Sequence, residues 1–97
     1  MGKIIYKYNI TIGEQVICLP KEYKILKAGQ DRKENLAIWA LVDEKSREQE
    51  KVTVVVLGTG WSIPTKVIEE FDFIDTIIEK CGLTWHVFAA AGERPLM

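Results

Sequence analysis

The residues able to carry catalysis in this chain are few, namely one histidine, two cysteines and scattered carboxylates. His86 stands between Trp85 and Val87 in an apolar run, where a histidine satisfied by its neighbours is expected. Acid–base work there would need a nucleophile brought beside it. No HxH, HExxH or CxxC spacing occurs, and the adjacent Glu69 and Glu70 fit a solvated turn. We therefore expect no catalytic group, no metal site and no cofactor, so an enzyme is the weaker interpretation.

Binding chemistry is concentrated after the most apolar segment of the chain, where two glycines flank a threonine and a tryptophan follows. Glycines let backbone N–H groups approach a ligand oxygen closely, the hydroxyl adds a donor, and an indole offers a surface on which a base stacks. One lysine nearby and one arginine near the C-terminus would supply cations for phosphate. The alternative is a turn whose glycines serve only a positive φ. The candidate ligand-binding residues are Gly58, Thr59, Gly60, Trp61, Lys66 and Arg94.

The remaining aromatic residues have more than one interpretation. Trp39 and Trp85 have apolar neighbours in strand-like segments, so core packing is expected for both. Tyr6 and Tyr8 share one face of the first strand-like segment. They fit a cross-strand ladder, an exposed recognition surface, or a contact between copies of the chain.

Composition excludes several classes of function. Thirteen Lys and Arg residues against 14 Asp and Glu residues leave no basic excess of the kind that holds DNA or RNA polymers. No run of 18 apolar residues occurs, and residues 1–10 lack the apolar region of a signal peptide, so we expect no membrane association. Cys18 and Cys81 fit small buried hydrophobic residues in a reducing cytoplasm.

Hydrophobic periodicity predicts a series of short strands. Residues 4–12 alternate with a period of two, and residues 36–42 and 52–57 are apolar on both faces, as in strands covered on both sides. Shorter strand-like segments are residues 16–19, 23–27 and 83–88. The polar segment 43–51 predicts a hairpin loop, across which residues 35–43 would pair antiparallel with residues 52–57.

Residues 64–79 fit both a helical and a strand period, and we favour a helical turn over residues 64–70 followed by a strand over about 71–79. Residues 89–97 contain Gly92 and Pro95 and predict a flexible tail unless a partner orders them. The expected fold is all-β with one short helix, a small antiparallel sandwich or partly open barrel of six to seven strands in a single domain over residues 1–97. So thin a core leaves an outer groove, or a junction between copies, as the place for a sizeable ligand.

Four segments in this order resemble a family of short, mostly phage-encoded proteins. They are Leu19-Pro20-Lys21, Trp39-Ala40-Leu41-Val42-Asp43, Gly58-Thr59-Gly60 with Ile63-Pro64, and Trp85-His86-Val87-Phe88. The chain is similar over residues 6–88 to the viral anti-CBASS sponge proteins, although Trp61 stands where that family often has a histidine. The resemblance implies an immune-evasion protein of the infected bacterium's cytoplasm. Such a protein sequesters cyclic oligonucleotide signals such as cyclic dinucleotides, without cleaving them, as a homo-oligomer that we expect to be a tetramer.

Two other functions fit the same sequence. The chain could be a protein-binding module that inhibits a host enzyme by covering its surface, which requires an exposed apolar or charged patch. It could also degrade nucleotide signals with His86 as acid or base, which requires turnover.

Overall fold

The computed structural model describes residues 2–96, which form seven strands and one short helix. In chain order these are β1 (Lys3–Asn9), β2 (Gly13–Pro20), β3 (Lys24–Gln30), β4 (Leu36–Asp43), β5 (Gln49–Gly58), α1 (Thr65–Glu70), β6 (Asp72–Ile78) and β7 (Thr84–Ala91). The all-β class is confirmed, as is the helical turn followed by a strand within residues 64–79.

The strands form two antiparallel sheets packed face to face. One sheet has the order β1-β4-β3 and the other β2-β5-β7-β6. The molecule measures 42 × 33 × 15 Å, and its shortest dimension is that of two sheets about 10 Å apart with little else on them. The structure is thus the sandwich, not the barrel, of the two expected architectures.

The predicted pairing of residues 35–43 with residues 52–57 is wrong. β4 pairs with β1 and β3, whereas β5 pairs with β2 and β7 in the other sheet. Both strands are apolar on two faces and therefore suit interior positions of a sheet. The three-stranded sheet has only one interior position, which β4 occupies, so β5 takes an interior position in the other sheet. The polar segment between them carries the chain from one sheet to the other.

The core consists of the inward-facing side chains of both sheets. Val54 and Val56 of β5 and Val87 of β7 pack against Ile38 of β4, and all four are fully or almost fully buried. The other face of the larger sheet is partly covered by α1. Its Val67, with Phe71, packs against Val55 and Ala90. Val67 is the one buried residue of this six-residue helix.

The two long sides of the sandwich differ. Along one side β3 and β6 run close together, and the β6 bulge turns Asp75 so that its Oδ2 accepts a hydrogen bond of 3.2 Å from the Ala28 N–H. Along the other side β1 and β2 each pair with one strand only, and Tyr6, Ile12 and Val16 are exposed there. One sandwich edge is therefore closed by side chains and the other is open.

The end of the chain has a defined place against the larger sheet, whereas the sequence predicted a flexible tail. Residues 89–91 complete β7, and the Gly92 N–H donates to the Lys51 carbonyl at 2.7 Å. The buried Thr53 hydroxyl donates to the Gly92 carbonyl and accepts the Arg94 N–H, each at 2.8 Å. Leu96 packs beside α1. Met97 lies outside the described residues.

Both cysteines are exposed free thiols, which corrects the expectation that they are buried. Cys18 lies on the outward face of the edge strand β2, and Cys81 lies in the turn between β6 and β7. No helical segment within residues 2–96 is both long and apolar enough to cross a membrane.

Candidate functional site

The glycine-containing turn follows β5 at one end of the sandwich. Gly58 lies opposite Trp85 in the β5–β7 register, so the turn stands beside the β6–β7 connection. The Thr59 N–H donates to the Thr84 carbonyl at 3.3 Å, and the Trp61 N–H donates to the Gly58 carbonyl at 3.1 Å. These two amides are already paired, so the cradle of free amides expected from the sequence is not what this turn presents.

The turn fixes an indole instead. A Cβ at Gly58 would stand 2.8 Å from Cε2 of Trp61, closer than real Cβ contacts allow, and 3.2 Å from Cζ3 of Trp85, which is a tight contact. The two indoles meet edge to face, with centroids 5.5 Å apart and an interplanar angle of 82°. Trp85 is 7% exposed, as predicted for a core residue, whereas Trp61 is 50% exposed. Trp61 is therefore a rigidly supported aromatic surface open to solvent.

His86 lies half-buried on the other face of the same sheet, between two threonines. Its Nε2 is 2.7 Å from the Thr59 hydroxyl, and its Nδ1 is 3.0 Å from the Thr76 hydroxyl. A neutral imidazole offers one donor and one acceptor, and two hydroxyls satisfy both. This is the satisfied histidine that the sequence predicts, and it ties the turn to β6. The arrangement also places a hydroxyl within reach of an imidazole base.

A short chain of contacts connects this turn with the smaller sheet. The Trp85 indole N–H donates to Oε2 of Glu79 at 2.5 Å, and Oε1 of Glu79 accepts from the Gln30 amide at 3.3 Å. The side-chain oxygen Oε1 of Gln30 in turn accepts the Lys80 N–H at 3.2 Å. Gln30 is the last residue of β3, so the connection from β3 to β4 lies at the same end of the molecule as Trp61.

The two predicted cations take other partners. The Lys66 ammonium donates to the Pro95 carbonyl at 2.7 Å. The Arg94 guanidinium pairs with Glu70 at 3.0 Å and also donates to the Ala91 carbonyl at 2.8 Å. Both side chains thus hold the C-terminal segment against α1 and the sheet. The structure gathers Gly58, Thr59, Gly60 and Trp61 in one turn and places Lys66 and Arg94 together elsewhere.

Trp39 is not the core residue that the sequence predicts. Ile38, Ala40 and Val42 of β4 face the core, so Trp39 lies half-buried on the outer face of the three-stranded sheet. Its register neighbours there are Lys7 on β1 and Lys27 on β3. A groove of about 530 Å³ opens beside it. The groove-lining residues, called the Trp39 groove below, are Lys7, Asn9, Gln30, Asp31, Arg32, Lys33, Asn35 and Trp39.

Asp31 organises the loop that forms one wall of this groove. Its carboxylate accepts from the Lys7 ammonium at 2.7 Å and from the N–H groups of Lys33 and Asn35 at 2.9 Å. The hydrogen bond from Lys7, with those from the two amides, lowers the pKa of Asp31 below its usual value. The alternation of residues 4–12 predicts a strand with one polar face. It could not show that Trp39 shares that face, since this depends on the β1–β4 register.

Among residues 2–96, no group of three or more histidine, cysteine or acidic side chains is placed to hold a metal ion. A family model described as a domain of unknown function (DUF7352) matches residues 1–96. No curated protein and no solved structure matches the chain.

Proposed function

Because this chain belongs to the DUF7352 family of domains of unknown function, we propose a function from its own geometry: it binds cyclic dinucleotides and sequesters them intact. The observation that carries the proposal is the Trp61 indole, half exposed and held by Gly58 and Trp85 at the end of the sandwich. A nucleobase stacked on such a fixed surface gains about 1–3 kcal/mol. In the cytoplasm of an infected bacterium this activity would blunt CBASS signalling, as the resemblance to anti-CBASS sponges implies.

Sequestration acts by mass action. The concentration of the protein must therefore exceed both the concentration of the signal and the dissociation constant of the complex. A homo-oligomer, which we propose to be a tetramer, would add a second wall to a site that a 15 Å thick protomer leaves open on one side. The open sandwich edge supports association, since Tyr6, Ile12 and Val16 are exposed beside unpaired strand edges.

One observation favours nucleotide degradation as a second candidate function. The Thr59 hydroxyl and Nε2 of His86 are 2.7 Å apart, the distance of a nucleophile from its general base. The partner of Nδ1 is the Thr76 hydroxyl. A carboxylate there would stabilise the imidazolium that forms during base catalysis, and a hydroxyl does so less. We therefore assign the pair to holding the turn.

A retention experiment separates these functions. The purified protein is incubated with a panel of cyclic dinucleotides, freed of unbound ligand, and denatured by heat or protease. Intact nucleotide released from the protein is the expected result, and an altered nucleotide would favour the enzyme. Absence of any retained nucleotide would contradict both and favour a protein-binding inhibitor of a host enzyme.

The Trp61→Ala variant tests the stacking surface. Half of this side chain is already in solvent, so we expect a folded protein whose affinity for the retained nucleotide falls about ten- to a hundredfold. Phe73→Ala is the matched control, because Phe73 is an aromatic residue, 57% exposed, on β6. Equal affinities for wild type and a folded Trp61→Ala protein would remove Trp61 from the site.

A further inference from the structure

We propose that the Trp39 groove is a nucleotide-binding site, in which the base stacks on Trp39 and the phosphate lies against Arg32 and Lys33. Its volume of about 530 Å³ falls within the 300–1,000 Å³ range of small-molecule sites. This inference rests on the proposed function and extends it. It supplies the cations that the Trp61 turn lacks once Lys66 and Arg94 are engaged by the C-terminal segment.

The Trp39 indole lines the groove from the outer face of the three-stranded sheet, where it can serve as a floor. A Cβ at Gly29 would be 3.6 Å from Cζ3 of Trp39 and 3.7 Å from Cε of Lys27. Gly29 of the adjacent strand thus lies close to the ring, and the aliphatic stem of Lys27 lies beside Gly29. Lys7 flanks Trp39 on the opposite strand. Both lysines are paired with carboxylates, Lys7 with Asp31 at 2.7 Å and Lys27 with Asp75 at 3.7 Å. The indole therefore offers a surface for base stacking, and the charge for an anion comes from the loop cations.

Charge in the groove is opposite to that of the whole chain. The chain has a net charge of −1, whereas the groove is lined by three cations, Lys7, Arg32 and Lys33, against one carboxylate, Asp31. That carboxylate is 6% exposed and faces Lys7 and two loop amides. Its negative charge is thereby balanced by these partners within the loop. A local positive potential in a concave site attracts phosphate even when the protein is neutral overall.

The loop from Asp31 to Asn35 leaves its two basic side chains available. Arg32 and Lys33 are exposed and form no ion pair within residues 2–96. Asn9 and Asn35 line the same groove, and their amides have the donors and acceptors that recognise a base edge. Aromatic floor, amides and cations together match a base joined to a phosphate better than they match an apolar peptide.

The groove also lies at the same end of the molecule as Trp61. Gln30 lines it and is hydrogen-bonded to Glu79, which accepts from the Trp85 indole that supports Trp61. The groove and the Trp61 turn are thus connected by a continuous series of hydrogen-bonded side chains.

The test compares two charge-matched double variants by calorimetry with cyclic dinucleotides and with a single mononucleotide, AMP or GMP. Arg32→Ala/Lys33→Ala removes two cations beside the groove. Lys45→Ala/Arg47→Ala removes two cations from the loop at the other end of β4. We expect at least a tenfold loss of affinity in the first variant and less than a twofold change in the second. Trp39→Ala should lose about ten- to a hundredfold in affinity. If that variant fails to fold, Arg32→Ala/Lys33→Ala still tests the groove, because both of its residues are exposed in a loop.

The outcomes distinguish this inference from the proposed function. Cyclic-dinucleotide binding that Arg32→Ala/Lys33→Ala and Trp39→Ala leave unchanged would overturn the Trp39 groove and keep the proposed function. Mononucleotide binding that these variants abolish, without any cyclic-dinucleotide binding, would support the groove and overturn the proposed function. If neither ligand binds the wild type, both proposals are overturned.

Discussion

Gly58 and Gly60 are both needed in the turn before Trp61, for different physical reasons. Gly60 has a φ of 89°, which side chains with a Cβ rarely adopt, and nothing lies within 4 Å of a Cβ built there. Gly58 has no positive φ, but a Cβ would collide with the indole of Trp61. Gly58 is thus required by packing, and Gly60 is required by its backbone conformation.

Gly58→Ala should destabilise the fold by about 1–2 kcal/mol, because the cost of overpacking exceeds the stabilisation that comes from a less flexible unfolded chain. It should also move the Trp61 indole N–H signal in an NMR spectrum. In a Trp61→Ala background the same substitution should cost less, as urea unfolding of the double variant will measure. An equal cost in both backgrounds would show that Trp61 is not the colliding group.

At Asp31 the structure predicts a dependence of stability on pH. Hydrogen bonds from Lys7 and the loop amides lower the pKa of this carboxyl in the folded state from its ordinary 3.8. A depressed folded-state pKa means that the ionised form stabilises the fold above about pH 4. This contribution is lost as the pH falls through the lowered pKa.

We therefore expect the stability difference between wild type and Asp31→Asn to be present at neutral pH and to shrink below pH 4. Unfolding free energies measured from pH 7 down to pH 2 will check this, with Asp72→Asn, at the exposed first position of β6, as the aspartate control. A difference that stays constant over this range would contradict the assigned hydrogen bonds.

At the scale of elements, the decisive feature is the crossing from β4 to β5. Each strand is interior to its own sheet, and the intervening polar residues pass from one layer to the other. The C-terminal segment returns to β5 through Thr53, a fully buried polar residue. Its hydroxyl bridges the Gly92 carbonyl and the Arg94 N–H, so this side chain anchors the start of the C-terminal segment, which Lys66 also holds further along.

Thr53→Val keeps the shape of this side chain and removes both hydrogen bonds. We expect a loss of about 1–3 kcal/mol, because the Gly92 carbonyl and the Arg94 N–H are left without this partner. The Arg94 amide should then exchange its hydrogen faster in deuterium-exchange NMR. Arg94→Ala is the control, since it removes the side-chain contacts with Glu70 and the Ala91 carbonyl and keeps the backbone N–H that donates to Thr53. Slow Arg94 exchange in Thr53→Val would mean that other contacts hold the segment.

For the whole molecule, the question is what covers the open edge between β1 and β2. If copies associate there, Tyr6→Lys/Val16→Lys should convert the oligomer to monomers in sedimentation velocity while melting at a similar temperature. Ile68→Lys/Phe73→Lys adds the same charge at exposed positions on α1 and β6 and should leave the oligomer intact. A wild type that sediments as a monomer would contradict association, and with it the tetramer proposed for sequestration.

Local patterns in the sequence determined the strand identities, the helix before Phe71 and the burial of Trp85, because period and β-branched content act over a few residues. The same patterns predicted a flexible tail, since a Gly- and Pro-containing end carries no sign of the Thr53 hydroxyl that holds it. They also predicted a β4–β5 hairpin and a buried Trp39. Only the tertiary structure decided which strands pair and which face of β4 meets the core. Pairing depends on contacts between residues far apart in the chain, and a change of one residue in register moves every side chain to the other face.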